Sequence, residues 1–425
     1  MKEKPDKLDR RGFLKTVTGA GLGAVLTSAE VIPQATASSP NDPNTHKTQA
    51  AGRPAHVPKR KLGKTDTQVS SLALGTNRLF MDAQVLLRKA FEYGVTYWDS
   101  SPVYAGGNSE RAIGRFLARN PQARERLFLS TKAWNAQRPE QAEKSLRRSL
   151  KTMKTEYIDL FYGIHELYHP AQLSEEMREW SKSAKQRGLI RYFGFSTHKN
   201  MSRCLTAAAK LDWIDAVITA YNFRLMQDAE MTAAVEACYK AGVALTAMKT
   251  QGHGQEIAYI SRCSIETEQD KKLIDHFLQS GLTEGQAKIR LVLDDKRISS
   301  ACVGMSSMAL LRANVAAAAE KTELSRKQVD LFGEYARATS QTYCAGCAHI
   351  CDSLLPEMPY LSDVMRSLMY YNSYGDKQMA RALFAEIGAS AVEKLASADY
   401  SRVEEKCPQR LPVARFVSEA LRKLA

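Results

Sequence analysis

The sequence predicts an α/β protein: a closed (β/α)8 barrel, opened by an N-terminal hairpin and followed by a C-terminal helical extension. Three observations predict it. Strand-like and helix-like segments alternate from Arg60 to Ala317, as parallel strands with right-handed crossovers require. No Gly-x-Gly-x-x-Gly turn follows the first strand, which counts against the runner-up, a doubly wound open sheet. Beyond residue 325 the strand signal stops, and helix-like segments separate two groups of cysteines.

At 425 residues the chain exceeds one ordinary domain and suits a barrel of about 250 residues with additions at both ends. Met1 to Ala37 stands apart. A basic start ending Asp9-Arg10-Arg11-Gly12-Phe13-Leu14-Lys15 precedes an apolar run, Thr16 to Leu26, and a small-residue site, Ala35-Thr36-Ala37. Those parts in that order make a signal peptide, and the paired arginines before Phe-Leu-Lys make it look like a twin-arginine signal. The expectation is a periplasmic or otherwise exported protein, handled by the export machinery. The run is too short and glycine-rich to span a bilayer stably. Residues 38–57, mostly Ser, Pro, Asn, Thr and Ala, read as a flexible linker, so the barrel is expected over 58–325 and the extension over 326–425. The net charge of +14 is spread along helices with acidic partners, and no basic-aromatic block stands out; nucleic acid is not an expected partner.

Lys61-Leu62-Gly63-Lys64-Thr65-Asp66 predicts the hairpin. Strands are predicted at Ser70–Leu74, Thr96–Ser100, Leu127–Lys132, Ile158–Ile164, Tyr192–Ser196, Ala216–Tyr221, Val243–Met248 and Ser299–Val303. Amphipathic stretches between them, among them Ala83–Tyr93, Gln141–Met153, Leu173–Arg187 and Met231–Ala241, are long enough for crossover helices. Eight such units close into a TIM barrel, whose chemistry sits where strands end and loops begin.

At those ends the second strand delivers Asp99 and, past Pro102, Tyr104; the third ends at Lys132 and the fourth at His165. Singly, each has a dull explanation as a capping, solvated or hydrogen-bonded rim residue. Four ionisable side chains on three consecutive strand ends make chance the poorer one.

This set resembles the active site of the aldo-keto reductases. The resemblance covers Arg60 to Ala317. It rests on the opening hairpin, Asp99 and Tyr104 with Gly106-Gly107-Asn108-Ser109-Glu110 after them, Ser130-Thr131-Lys132, Ile164-His165, Gly194-Phe195-Ser196, Tyr221-Asn222, and Gly304 to Asn314. It implies an NADP- or NAD-dependent oxidoreductase acting on a small-molecule carbonyl or alcohol, with the nicotinamide supplying hydride. Tyr104 would supply the proton, Lys132 would ease its ionisation, Asp99 would orient Lys132, and His165 would hydrogen-bond the substrate oxygen. By position, Ser196 and Thr197 would meet the nicotinamide amide, Tyr221 would back its ring, Lys249 would face the pyrophosphate, and Gly304, Ser306 and Asn314 would form the phosphate-binding helix start. Two positions depart from the pattern: Ile218 stands where the family often has Gln, and Leu310 where a basic or amide residue often meets the 2′-phosphate. Arg312 is a substitute for the latter or a solvated helix residue. A function of another class stays open, a barrel that retains cofactor as a sensing or partner-binding module without turnover.

Eight cysteines occur. Cys204, Cys238, Cys263 and Cys302 stand singly and read as core or near-surface residues. Cys344, Cys347 and Cys351 form C-x2-C-x3-C, and Cys407-Pro408-Gln409 returns a fourth thiol beyond the helix-like segments Leu361–Tyr371 and Lys377–Ile387. Four thiols in that order suit one [4Fe-4S] cluster, an all-cysteine zinc site or two disulfides. The tail resembles the ferredoxin-like extension found on one branch of the aldo-keto reductases, which implies the cluster and a redox partner protein. His349 is expected as a loop residue rather than a ligand. Trp134 and Tyr168 are the expected apolar walls of a substrate pocket.

Overall fold

The structure, a computed structural model, describes residues 55–252 and 268–425. The expected signal over Met1–Ala37, most of the linker over 38–57, and Cys263 lie outside the described residues.

The hairpin forms as β1 (Lys59–Lys61) and β2 (Gln68–Ser70), paired antiparallel. Because it takes residues 68–70, the first barrel strand starts two residues later than predicted. Eight parallel strands then follow in order: β3 (Leu72–Gly75), β4 (Tyr97–Asp99), β5 (Phe128–Trp134), β6 (Ile158–His165), β7 (Ile190–Thr197), β8 (Ala216–Ala220), β9 (Ala244–Met248) and β10 (Ser300–Gly304). Each pairs with its sequence neighbour, and β10 pairs back onto β3, closing the barrel.

The strands read as near-continuous apolar runs because both faces are covered. Inward, Tyr97, Leu160, Tyr162, Ile218 and Ala244 fill the lumen. Outward, Trp98, Leu129, Phe161, Phe193 and Leu245 lie under the helices. Side chains of this size each contribute about 1.5–3 kcal/mol on burial. The predicted crossover helices form as α1 (Gln84–Glu92), α2 (Asn108–Arg119), α3 (Pro139–Met153), α4 (Glu175–Gln186), α5 (Met201–Ala208) and α6 (Ala229–Lys240). Local chemistry sets their starts: Ser174 Oγ accepts from Met177 N at 3.3 Å, Asp228 Oδ1 from Met231 N at 2.8 Å, and Pro139 fills the first position of α3.

Two helices, α7 (Glu268–Gln279) and α8 (Glu284–Asp294), separate β9 from β10, and α9 (Met308–Ala319) closes the outer ring. The next helix is α10 (Arg326–Ala338). Its Phe332, Tyr335 and Ala336 pack on Phe223, Leu273 and Phe277, so its apolar face is satisfied by the barrel wall rather than by the extension.

The extension proper comprises α11 (Ala348–Leu354), α12 (Leu361–Asn372), α13 (Lys377–Ala385), α14 (Ala389–Ser397), α15 (Ser401–Lys406) and α16 (Val413–Leu424). Its own core gathers Val364, Leu368, Phe384, Leu395, Val403, Phe416 and Val417. Among the described residues no helix is long and apolar enough to cross a membrane.

Candidate active site

Asp99 is the last residue of β4, and the pleat that sends Trp98 outward sends Asp99 into the mouth. Lys132 reaches it from the next strand. The Lys132 ammonium donates to Asp99 Oδ2 at 2.6 Å, Asp99 Oδ1 at 2.8 Å and the Ser100 carbonyl at 2.8 Å, so all three of its hydrogens are used. Ser130 Oγ donates to Asp99 Oδ1 at 2.7 Å. Both charges are buried, and a buried pair is tolerated only with this degree of hydrogen bonding.

Tyr104 begins a turn, Tyr104–Gly107, whose Ala105, Gly106 and Gly107 have positive φ. Gly107 at φ +83° starts α2, and a Cβ there would sit 3.3 Å from the Pro102 carbonyl oxygen. The turn sets the Tyr104 ring 4.9 Å from Lys132 Nζ, measured to its centroid. Ser109 and Glu110 secure the loop from behind. Ser109 Oγ shares hydrogen bonds with Ser100 Oγ at 2.7 Å and Thr76 Oγ1 at 2.5 Å; Glu110 accepts from Thr131 and Ser149 hydroxyls, each at 2.7 Å.

One expectation changes here. Lys132 was expected to lower the phenol's pKa, yet burial, the Asp99 carboxylate and then Tyr370 hold Tyr104 well above its usual range. The reason is chiefly burial, and Lys132 spends its hydrogen bonds on Asp99 and Ser100 rather than on the phenol.

His165 ends β6, its ring centroid 4.7 Å from that of Trp134 and tilted 40° to it, with Nδ1 hydrogen-bonded to Ser196 Oγ. Burial pushes its pKa down to about 3, so the imidazole is neutral at working pH. Beside it lies a charged group that sequence reasoning missed. Glu166 pairs with Arg366 of α12, and His198 Nδ1 lies 3.4 Å from the same Glu166 oxygen. Glu166 is held well below the carboxylate range: burial opposes its charge, and Arg366 and His198 more than offset that. Burial pushes His198 down to about 4.

The predicted cofactor residues divide. Lys249 reaches the mouth, but its ammonium donates to the Tyr370 hydroxyl at 2.8 Å and lies 4.2 Å from that ring's centroid. Gly304 and Ser306 are exposed at the end of β10, next to the start of α9, whose cap is Ser307 Oγ. Asn314 is buried on α9, and Arg312 is exposed there. Ser196 is engaged by His165, and Thr197 Oγ1 donates to the Lys199 carbonyl at 3.0 Å. Tyr221 is placed elsewhere. Its ring packs in the layer between barrel and helices and its hydroxyl donates to Asp295 at 2.7 Å, because that carboxylate and Arg297 give a buried phenol its partners.

What covers the mouth is α12. Asp363 pairs with Lys199 at 2.7 Å, Arg366 with Glu166 and Tyr370 with Lys249, while the Tyr374 carbonyl just beyond accepts from Arg78. A helix-like reading of Leu361–Tyr371 found the element; a periodicity carries no information about which distant cations it meets.

Cys344, Cys347, Cys351 and Cys407 line one cavity with Leu361, Ser362, Met365 and Leu411. Burial, then neighbouring thiols, raises Cys344 well above its usual pKa, Cys347 to about 12 and Cys351 to about 11. These four are free thiols, as are the core cysteines Cys204, Cys238 and Cys302, so the disulfide alternative does not hold for them. Among the described residues no three His, Cys, Asp or Glu groups are arranged to hold a metal ion. Gly346 lets this loop dock: at φ +75° it passes the His198 carbonyl so closely that a Cβ would lie 2.4 Å from it, and Asn200 N donates to the Gly346 carbonyl at 2.7 Å. His349 lies in the first turn of α11 rather than in a loop, and turns to Asn200 Oδ1, at 2.8 Å from its N–H and 3.0 Å from Nδ1.

Residues 71–336 match the Aldo/keto reductase family over more than half of the chain. The chain belongs to the aldo/keto reductase family. It is an NAD(P)-dependent oxidoreductase. It is 25% identical to the L-galactose dehydrogenase of Arabidopsis thaliana over 303 residues, 64% of this chain and 91% of that one. The aldo-keto reductase yakc of Schizosaccharomyces pombe, named for NADP(+), is 27% identical over 47% of this chain and 62% of its own. An oxidoreductase of Bacillus subtilis, YqkF, is 31% identical over 33% of this chain and 48% of its own. Among solved structures, an aldo-keto reductase of Bacillus halodurans in its holo form superposes with a TM-score of 0.54 at 21% identity, over 66% of this chain and 96% of that one, a likeness of fold.

Proposed function

We propose that this aldo/keto reductase interconverts carbonyls and alcohols with NADP(H), using Tyr104 as the proton donor. The observation that carries the reading is the buried Asp99–Lys132 pair set 4.9 Å from the Tyr104 ring. NADPH, when bound, supplies hydride to the carbonyl carbon. A phenol held above its usual range stays protonated at neutral pH, ready to donate to the carbonyl oxygen as charge builds there. The nearby Lys132 ammonium reduces the cost of the phenolate that remains. His165, neutral down to about pH 3, offers the substrate oxygen a hydrogen bond from its second ring nitrogen.

For the cofactor, the chemistry of the donor set fits. Lys249 is bound to a neutral phenol rather than a carboxylate among the described residues, so its charge remains for a pyrophosphate. Ser306 and the first turn of α9 supply hydroxyl and N–H groups, with Asn314 behind them. NADP over NAD follows the relative named for it, and the L-galactose dehydrogenase puts sugars first among the carbonyl panels to test.

We assign one [4Fe-4S] cluster to Cys344, Cys347, Cys351 and Cys407. What supports it is the convergence of four half-buried, unbridged thiols on one cavity, three of them from a single C-x2-C-x3-C loop and the fourth from Cys407-Pro408. Such a group stores one electron and calls for a redox partner. Export through the Arg10-Arg11 signal is the companion proposal, tested by fractionation of the Arg10→Lys, Arg11→Lys variant.

Tyr104→Phe tests the catalytic reading. Turnover falls about 10²- to 10⁴-fold while NADPH affinity and the thermal midpoint stay at wild-type values. Undiminished turnover would remove Tyr104 as the proton donor; bound cofactor with no turnover in the wild type would make the barrel a sensing module instead.

A further inference from the structure

The cysteine cavity holds one polar group that nothing above uses. Ser362 is 7% exposed, lines the cavity beside the four thiols, and its hydroxyl has no hydrogen-bond partner. A buried hydroxyl left without a partner costs about 1–3 kcal/mol, so the site is incomplete as the protein alone forms it.

Ser362 also lies in the first turn of α12, a helix of 12 residues whose start has no side-chain cap. Asp363 N donates to the Tyr360 carbonyl at 2.9 Å, while the N–H groups of Leu361 and Ser362 have no acceptor inside the helix, and the positive end of the helix dipole lies there. A hydroxyl and a helix start at the same cavity both favour negative charge.

We propose that Ser362 donates a hydrogen bond to a sulfur of the group the four cysteines hold, and with the start of α12 favours its reduced, more negative state. The inference rests on the cluster reading and adds to it the residue that sets the reduction potential. Hydrogen bonds to cluster sulfurs are among the recognised determinants of that potential. No step beyond one-electron uptake by the cluster from an added reductant is involved. Ser367, one turn further on, is the internal control: its hydroxyl is equally buried and unpartnered, but it does not line the cavity.

The test uses the full chain purified without oxygen, as wild type, Ser362→Ala, Ser362→Thr and Ser367→Ala. Iron and acid-labile sulfide are measured first, then the potential by dithionite titration followed by electron paramagnetic resonance. Ser362→Ala is expected to keep its iron and to shift the reduction equilibrium about tenfold toward the oxidised form, which is about 59 mV for one electron. Ser362→Thr restores the wild-type value and Ser367→Ala leaves it in place. In metal-free protein Ser362→Ala is as stable as wild type or more so, since no protein contact is lost. A Ser362→Ala protein titrating with wild type, or a Ser367→Ala protein shifting as far, overturns the role of Ser362 and leaves the cluster standing. Wild type without iron and sulfide overturns the cluster itself.

Discussion

The barrel rim is buried and the cysteine cavity half-buried, both are rich in polar groups, and they are finished differently. At the rim every hydrogen of the Lys132 ammonium is taken by Asp99 or the Ser100 carbonyl. In the cavity four thiols and the Ser362 hydroxyl face one another, with burial holding three of the thiols protonated. A site that the protein completes is built to act on something passing through. One left unsatisfied fits the cluster proposed for it, whose binding energy would become part of the folding energy.

The largest effect expected from this contrast is at the rim. Lys132→Met leaves the Asp99 carboxylate buried without its counter-ion, with Ser130 Oγ still donating to it at 2.7 Å, and should destabilise by about 3–5 kcal/mol, read from denaturant unfolding; adding Asp99→Asn should recover most of it. Equal stability of Lys132→Met and wild type would mean the pair is not closed as described.

Next in size is acid lability. His165 and His198, at about 3 and 4 when folded, bind fewer protons in the native than in the unfolded chain across the interval up to the ordinary histidine value of about 6.5. Stability therefore rises with pH through that window and is lost as pH falls. The lowered carboxyl of Glu166 acts in the same direction: its contribution is present above the ordinary glutamate range and lost as pH drops toward its folded value. Unfolding free energies measured by denaturant titration from pH 8 to pH 4 should fall by about a few kcal/mol in total; a flat profile would show that these groups are wet rather than buried.

The cavity should behave oppositely to the rim. In metal-free protein Cys347→Ala breaks no ion pair and should change stability by about 1 kcal/mol or less, whereas in metal-loaded protein the same change should remove iron. A loss in the metal-free form as large as that of Lys132→Met would erase the distinction. The smallest effect is predicted where the two regions meet. Tyr370→Phe releases Lys249 from its phenol, so NADPH should bind a few-fold more tightly in a fluorescence titration, within about 1 kcal/mol; weaker binding would mean that Tyr370 helps to hold the cofactor.

Much of this was legible in the chain. Asp99, Tyr104, Lys132 and His165 could be found because each closes or follows a strand, and strand ends are marked by local composition. The C-x2-C-x3-C run is likewise local. A phenol at a strand end has two ways to turn, and Tyr221 turns its hydroxyl to Asp295, a partner that no pattern near Tyr221 announces. Glu166 went unnoticed because its partner, Arg366, lies 200 residues away.

By itself the sequence determined the alternation that closes the barrel, the four side chains on its rim and the spacing of the thiols, all of which are set within a strand, a turn or a loop. Only the tertiary structure decided that α12 lies across the mouth, that its Arg366 and Tyr370 engage Glu166 and Lys249, and that Ser362 looks into the cavity. The physical reason is that hydrogen bonds and ion pairs between distant segments depend on packing, which is settled by summed burial over two cores and leaves no local mark on the residues it brings together.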